Sequence, residues 1–401
     1  MQTNTVPPAP RASTEGATFQ TAYGSRTFPP FDLARLLRTV FQPRAGERVA
    51  VLIDLPDPRA MRDFAFLNDP KLTIQAHAYR DFYQALQNRV LAELNLQGGE
   101  MFAFEATGGS NLDLPDVAFD AAGNERSLAR DIYPNYDLIL CISTYSATAP
   151  LTAFAKQYGF RGATLHGVND TILQSGLAVD YEEVSVEAEA LRRGLTRADA
   201  VEIDYAYAGQ PYTLRLLLGG QEAQKSHGLC RGGPDVANLP AGEVYYVPIG
   251  AEGQFPHRYE DGTISLLTAK GGYVVGVDLL AGNEATVAPH RAKLLGDPAA
   301  GFLGELGFGT QRLPVSGRDI QDEKILGTFH IATGRSDHLG GHITPPKFLD
   351  RKNATHDDIL FSPTKTPEIQ VRQVRWERDG RTEVLIEDYV PSAYLLGLVE
   401  K

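Results

Sequence analysis

The sequence is poor in cysteine, with Cys141 and Cys230 the only two among 401 residues. Neither belongs to a paired-cysteine motif, which excludes a disulfide framework and a cysteine-based zinc site. A reducing compartment such as the cytoplasm is therefore expected. The sequence also lacks any run of the eighteen or so consecutive apolar residues that a membrane-spanning helix needs. We therefore expect no membrane partner.

Basic residues are outnumbered, with 38 Lys and Arg against 50 Asp and Glu, a formal net charge of -12. This excess repels phosphate backbones and anionic lipid surfaces, so nucleic acid is excluded as a partner. A glycine-rich phosphate loop between a strand and a helix is also missing, because the glycines at 307, 309, 340 and 341 lack the required spacing. The composition, 43% hydrophobic and 22% charged, is that of a globular chain with enough apolar residues for two domains.

Residues 1–30 are rich in Pro, Thr, Ala, Ser and Gly. They have neither a basic n-region nor a continuous apolar h-region, so they do not resemble a secretory signal. We expect a flexible N-terminal tail.

Residues 31–198 alternate helical and strand patterns. Apolar residues recur at helical spacing after Phe31, and the apolar run 49–53 then indicates a buried strand. Further helices are predicted over 79–96 and 181–195, and further strands over 101–105, 136–142 and 162–168. This alternation predicts an α/β domain with a mostly parallel sheet. Short alternating runs separated by turns follow, so residues 199–401 are predicted to form a C-terminal β-rich α+β domain.

The C-terminal half contains five candidate metal ligands: Glu243, Glu305, His330, His356 and Asp358. Carboxylate and imidazole groups bind Zn²⁺, Co²⁺, Mn²⁺ or Fe²⁺, and five ligands exceed the three that one catalytic zinc takes. His356 and Asp358 share a face of an extended strand. Two alternatives stay open: an arginine such as Arg312 can neutralise a buried Glu305, and His330 can be an ordinary core histidine.

Five other histidines have no comparable setting. We interpret them as structural or surface residues: His77, His166, His227, His257 and His290.

Four motifs occur in the order seen in one metallopeptidase family: residues 238–244 (NLPAGEV), 304–310 (GELGFGT), 322–332 (DEKILGTFHIA) and 356–358 (HDD). On these motifs the chain resembles the aminopeptidase T family, leucyl aminopeptidases of the thermophilic type with a dinuclear metal centre. The resemblance extends from about Phe31 onward and includes segments 163–165, 167–168 and 178–182.

The resemblance implies that the five candidates above bind two divalent ions, Zn, Co or Mn. It implies a metal-dependent aminopeptidase that releases N-terminal residues from small peptides, and a cytoplasmic homodimer. A carboxylate beside the metals would carry the proton to the leaving amine, and Glu305 is the preferred candidate.

The sequence departs from the family after His330. Where the family has a tyrosine that stabilises the tetrahedral intermediate, this chain has residues 334–340 (GRSDHLG). Arg335 or His338 can take this electrophilic role, since a cation or imidazolium donates to a developing oxyanion. Asp337, His338 and His342 are alternatively extra ligands.

Two other functions stay open. His330, His356 and Asp358 alone form a two-histidine, one-carboxylate set, as in a mononuclear Fe(II) oxygenase. The aminopeptidase T fold is similar to that of dihydroxypyridine ring-cleaving dioxygenases, so such an enzyme is the second hypothesis. The third is a metal-binding relative that has lost catalysis.

Overall fold

The computed structural model describes residues 15–399. The first fourteen residues of the predicted tail lie outside this range. The rest of that prediction is wrong, because Ala17–Thr21 and Gly24–Phe28 form an antiparallel hairpin. Gly24 makes the turn at φ +102, a conformation that suits glycine. The side chain of Phe28 is buried in the core.

The strands, in chain order, are β1 (Ala17–Thr21), β2 (Gly24–Phe28), β3 (Arg48–Leu55), β4 (Gln97–Glu105), β5 (Val117–Asp120), β6 (Glu125–Ser127), β7 (Leu138–Ile142), β8 (Arg161–Thr164), β9 (Ala200–Tyr207), β10 (Gln210–Leu217), β11 (Gln224–Ser226), β12 (Val236–Asn238), β13 (Glu243–Tyr246), β14 (Gly250–Arg258), β15 (Ile264–Lys270), β16 (Tyr273–Ala281), β17 (Leu303–Gly309), β18 (Phe329–Gly334), β19 (His356–Phe361), β20 (Gln370–Arg378), β21 (Arg381–Glu387) and β22 (Val390–Pro391). The α-helices are α1 (Leu33–Phe41), α2 (Thr73–His77), α3 (Leu91–Leu94), α4 (Thr148–Tyr158), α5 (Asp170–Gln174), α6 (Tyr181–Leu195), α7 (Glu284–Gly296), α8 (Asp319–Asp322) and α9 (Ala393–Val399). Two π-helical segments, Ala78–Tyr83 and Leu86–Val90, continue α2 toward α3.

The N-terminal part is built on a seven-stranded sheet with the order β12-β8-β7-β3-β4-β5-β6. The five strands from β12 to β4 are parallel, and β5 and β6 complete the sheet in antiparallel pairing. The predicted strand 49–53 lies at the centre and is buried on both faces, as a near-continuous apolar run requires.

The C-terminal part contains two antiparallel sheets. One has eight strands in the order β16-β15-β14-β10-β9-β20-β21-β22, and the other has five in the order β11-β13-β17-β18-β19. The predicted fold class, a mostly parallel α/β layer followed by a β-rich region, is therefore confirmed.

The two parts of the chain are not separate in sequence. Helix α6 ends at Leu195 and β9 begins at Ala200, on either side of the predicted boundary. However, β12 returns from the second half and pairs in parallel with β8 of the first sheet. Cys230, Leu313 and Ile320 also belong to the core of the N-terminal part. A single boundary at residue 198 therefore stays a prediction.

The helices described within residues 15–399 are all too short or too polar to cross a membrane.

Candidate metal centre

The five-stranded sheet carries all five candidate ligands. Glu243 opens β13, Glu305 lies in β17, His330 in β18, and His356 and Asp358 in β19. These residues alternate with apolar ones, and successive side chains of a strand point to opposite faces. The apolar face packs into the hydrophobic core of the C-terminal part through residues that include Val244, Leu306, Phe308, Phe329, Ile331, Ile359 and Phe361. The opposite, polar face of the sheet therefore carries the candidate ligands.

Small residues on neighbouring strands make room for the ligands. Gly309 lies opposite Glu243, Gly307 opposite His330, Ala332 opposite both Glu305 and Asp358, and Gly334 opposite His356. A Cβ on Gly307 would lie 2.1 Å from Cε1 of His330, far closer than van der Waals contact. Segments 304–309 (GELGFG) and 330–334 (HIATG) thus combine candidate ligands with small residues that leave space for their side chains.

Glu305 connects two groups of ligands. Its Oε1 lies 3.4 Å from His330 Nε2, and its Oε2 lies 2.8 Å from His356 Nε2. Glu243, Glu305 and His330 can offer three ligand atoms within 4.8 Å of one another, and so can Glu305, His356 and Asp358. A carboxylate whose two oxygens face different ligand groups has the geometry of a bridge between two cations.

The hydrogen bonds of His356 require a cation beside it. Its Nδ1 donates to the carbonyl of Arg335 at 2.6 Å, because a carbonyl oxygen only accepts. Its Nε2 then faces Glu305 Oε2 at 2.8 Å and Asp358 Oδ1 at 3.3 Å, which also only accept when ionised. Either a proton or a metal ion must lie between these atoms. A ligating histidine held through its other nitrogen is typical of metal sites.

The charges of the cluster act on one another strongly. Burial raises the pKa of Glu305, but hydrogen bonds from His330 and His356 outweigh it and hold the pKa well below its usual range. Burial lowers the pKa of His330, but Glu305 and the neighbouring carboxylates raise it to about 10. Burial likewise lowers the pKa of His356, and Asp358 and Glu305 bring it well above its ordinary value. The surrounding carboxylates thus favour positive charge beside both imidazoles, as a metal ion would supply.

Two further charged residues, Glu323 and Lys324, lie in the cluster. Nζ of Lys324 is 2.6 Å from Glu243 Oε2 and 2.6 Å from Glu323 Oε1. Burial raises the pKa of Glu323 to about 7 against the effect of the lysine. Glu323 also forms a third possible ligand group with His330 and Asp358. Both residues stand in the DEKILGTFHIA motif, and neither is among the five predicted ligands.

The five candidate ligands line a polar cavity of about 260 Å³. Asn111, Thr148 and His166 form the part of its wall that follows the carboxyl ends of β4, β7 and β8. This is the usual position of a site in a parallel sheet. His166 was interpreted as structural or surface, whereas it lines the cavity, and burial lowers the pKa of its ring to about 4.

Tyr245 also lines the cavity and was missed. It shares the polar face of β13 with Glu243, and its pKa is raised by burial and by the charges of Glu305 and Glu243. The alternation that placed His356 and Asp358 on one face could have identified it, since Tyr245 follows Glu243 by two positions. Tyr245 therefore presents a phenol beside the candidate ligands.

The structure separates the two proposed electrophiles. His338 lines the cavity, with its ring perpendicular to that of His356 at a centroid distance of 5.0 Å. The Arg335 side chain lies elsewhere, bonded to Asp337 and to the carbonyl of Asn111. The electrophilic role predicted for Arg335 is therefore corrected: its carbonyl orients His356, and its guanidinium joins the two parts of the chain.

The two other suggested ligands lie outside the ligand groups. The carboxylate of Asp337 pairs with Arg335 at 2.7 Å, and the His342 ring packs against Phe302 at 4.8 Å. Arg312, the alternative neutralising partner of Glu305, lies 3.9 Å from Glu187. Glu305 is instead balanced by the two imidazoles.

No protein-family model and no curated protein sequence matches this chain. Among solved structures, its fold is similar to that of 2,5-dihydroxypyridine dioxygenase from Pseudomonas putida KT2440, at 16% sequence identity and a TM-score of 0.56, over 90% of this chain and 94% of that chain. Wild-type AmpT, the aminopeptidase T of Thermus thermophilus, matches at 14% identity and a TM-score of 0.49, over 90% and 98% of the two chains. The first of these likenesses shows a related fold, and membership of the aminopeptidase T family stays a prediction.

Proposed function

We propose that this chain is a metal-dependent aminopeptidase that removes N-terminal residues from small peptides, and that its candidate ligands would hold two divalent ions, with Glu305 belonging to both ligand groups. One observation carries the proposal: the two oxygens of Glu305 face two separate ligand groups, one with His330 and one with His356. Because both oxygens are already engaged, this geometry favours a ligand role for Glu305 over the proton-transfer role.

Divalent ions in these positions supply Lewis acidity to a scissile carbonyl and lower the pKa of a water molecule. The chain's own residues orient the substrate. Asp358 has 32% of its side chain exposed, while Glu305 and His356 are at most 5% exposed. Its free edge can accept hydrogen bonds from the ammonium group of a peptide.

Two residues can donate hydrogen bonds to the oxygen that becomes negative in the tetrahedral intermediate. Both His338 and Tyr245 line the cavity beside the ligands. Their donation would take over the role of the family tyrosine that this sequence lacks. A cavity of about 260 Å³ has room for a small substrate group beside the candidate ligands.

The test compares amino-terminal chromogenic substrates, for example leucine p-nitroanilide, with their N-acetylated counterparts. The chelated protein receives Zn²⁺, Co²⁺, Mn²⁺ or Fe²⁺ in separate assays. We expect hydrolysis that depends on added metal and on the free amino group. Hydrolysis of both forms at equal rates would contradict an aminopeptidase, and metal binding without hydrolysis would support the inactive relative.

A mononuclear Fe(II) ring-cleaving dioxygenase is the second candidate, and one contact favours it. Lys324 already neutralises Glu243, which leaves His330, His356 and Asp358 for a single ion. The similar fold of the Pseudomonas putida enzyme makes 2,5-dihydroxypyridine a suitable probe. Oxygen consumption with this probe after anaerobic loading with Fe(II), together with one iron per chain, would establish this function in place of the first.

A further inference from the structure

Lys324 is a buried cation inside the ligand cluster. Its side chain is 1% exposed, and the carboxylates that it contacts, Glu243 and Glu323, are 7% and 6% exposed. A lysine is seldom buried so completely unless it is paired, and here it is paired twice at 2.6 Å. This arrangement places a fixed positive charge among residues that can hold metal ions.

The lysine and one metal position share the same oxygen atom. Oε2 of Glu243 accepts from Lys324 Nζ and lies 3.7 Å from His330 Nε2, within the group formed by Glu243, Glu305 and His330. The structure gives the other group no comparable lysine contact within residues 15–399, since its residues Glu305, His356 and Asp358 pair with histidine. The two ligand groups are therefore unequal.

We infer that Lys324 is a built-in competitor for the second metal ion, so that the group with Asp358 fills first and the group with Glu243 fills only when the lysine releases Glu243. This inference rests on the proposed two-ion function. It concerns the order and the relative affinity of metal binding, which the proposed function leaves open.

Glu323 gives the displaced lysine a destination. Its Oε1 is already 2.6 Å from Nζ, so the ammonium keeps one carboxylate when it leaves the other. The flexible four-carbon stem of lysine permits such a movement. Release of Glu243 therefore requires a change of one side chain, and the ammonium does not become an unpaired buried charge.

The test is a calorimetric titration of metal-free protein with Zn²⁺, with zinc per chain counted by elemental analysis. For the wild-type chain we expect two unequal steps. Lys324→Met should tighten the second step by about tenfold or more, since a charge-assisted hydrogen bond no longer has to be broken. The first step should stay unchanged.

Lys293→Met is the matched control. Lys293 pairs with Asp357, the residue between the ligands His356 and Asp358, and lies outside the ligand groups. This substitution removes the same charge from the same neighbourhood. A general electrostatic effect would tighten zinc binding in both variants, and that result would overturn the inference.

Glu323→Gln is a second test of the competition, in which Lys324 stays in place. With Glu323 neutral, Lys324 has Glu243 as its remaining carboxylate, so the second zinc should bind more weakly. Tighter binding of the second zinc in Glu323→Gln, or unchanged binding in a folded Lys324→Met, would refute the competition. Failure of the proposed function is distinguishable, because peptide hydrolysis would then be missing whatever the zinc titration shows.

Discussion

Replacement of Arg335 by methionine tests the junction between the two parts of the chain. The Arg335 side chain is 3% exposed. Its guanidinium donates to the carbonyl of buried Asn111 at 2.8 Å and forms a two-point pair with Asp337 at 2.7 and 3.2 Å. The substitution keeps the apolar stem and removes every donor.

The expected loss of folding stability follows from the polar partners that Arg335→Met leaves unpaired. A buried carbonyl without its charged donor loses about 1.5–3 kcal/mol, and breaking a fully buried ion pair loses about 3–5 kcal/mol. The side chain of Asp337 is 26% exposed, so water replaces part of its pairing. We therefore expect Arg335→Met to lower the free energy of unfolding by about 3 kcal/mol.

Urea unfolding followed through the single tryptophan, Trp376, measures this loss. Arg351→Met is the control, because Arg335 and Arg351 both approach Asp113, at 3.3 and 3.5 Å, but the Arg351 side chain is 64% exposed. Its loss should stay below about 0.5 kcal/mol. Equal losses in the two variants, or a loss below about 1 kcal/mol in Arg335→Met, would refute the reasoning.

The pH dependence gives a second test of the same pair. Burial raises the pKa of Asp337, but His338 and Arg335 lower it further, so the net pKa is depressed. The pair therefore stabilises the fold above the unfolded pKa of about 4, and this contribution is lost as the pH falls toward the folded pKa. The difference between wild type and Arg335→Met should shrink below about pH 4.

Two further substitutions have defined outcomes. Gly307→Ala brings a methyl group onto the His330 ring, so its zinc affinity should fall by about tenfold or more. Gly232→Ala is the control, because Gly232 has open space around it, and its zinc affinity should stay unchanged. Equal zinc affinities in the two variants would contradict the role of the small residues. The His257 side chain is half-buried, and desolvation lowers its pKa to about 3. The unfolded chain therefore binds this proton first as the pH falls, and wild type should lose about 2 kcal/mol more stability than His257→Phe between about pH 7 and about pH 5 in urea unfolding. Parallel pH profiles would refute that assignment.

Patterns within single elements made much of the fold predictable. The helix predicted over 181–195 matches α6, with acidic residues in its first turn and arginines in its last. Pairing between strands that are distant in sequence was harder to predict. Val236–Asn238 is too short to show a period, and its return to the first sheet depends on contacts with β8 that are distant in sequence. The composition of residues 1–30 predicts a tail, whereas the alternation of residue types on both sides of Gly24 predicts the hairpin Ala17–Phe28.

The site was predictable where motif residues supplied ligands. The structure brings all five candidates together on one face. The direction of long side chains was not predictable. Arg335 bonds to groups away from the cavity, whereas Lys324 pairs with carboxylates of the site. Such choices depend on which buried acceptors need a donor, and these become known only once the fold has assembled.

The most direct test of the central claim is the number of zinc ions bound per chain, measured by native mass spectrometry for the wild type, Glu305→Gln and Asp357→Asn. Asp357 pairs with Lys293 outside the ligand groups, so its variant should keep the wild-type number. We predict two ions for the wild type and for Asp357→Asn, and at most one for Glu305→Gln, since the shared carboxylate is lost. A wild-type chain that binds no zinc, or a Glu305→Gln chain that keeps both ions at unchanged affinity, would contradict a bridged two-metal centre.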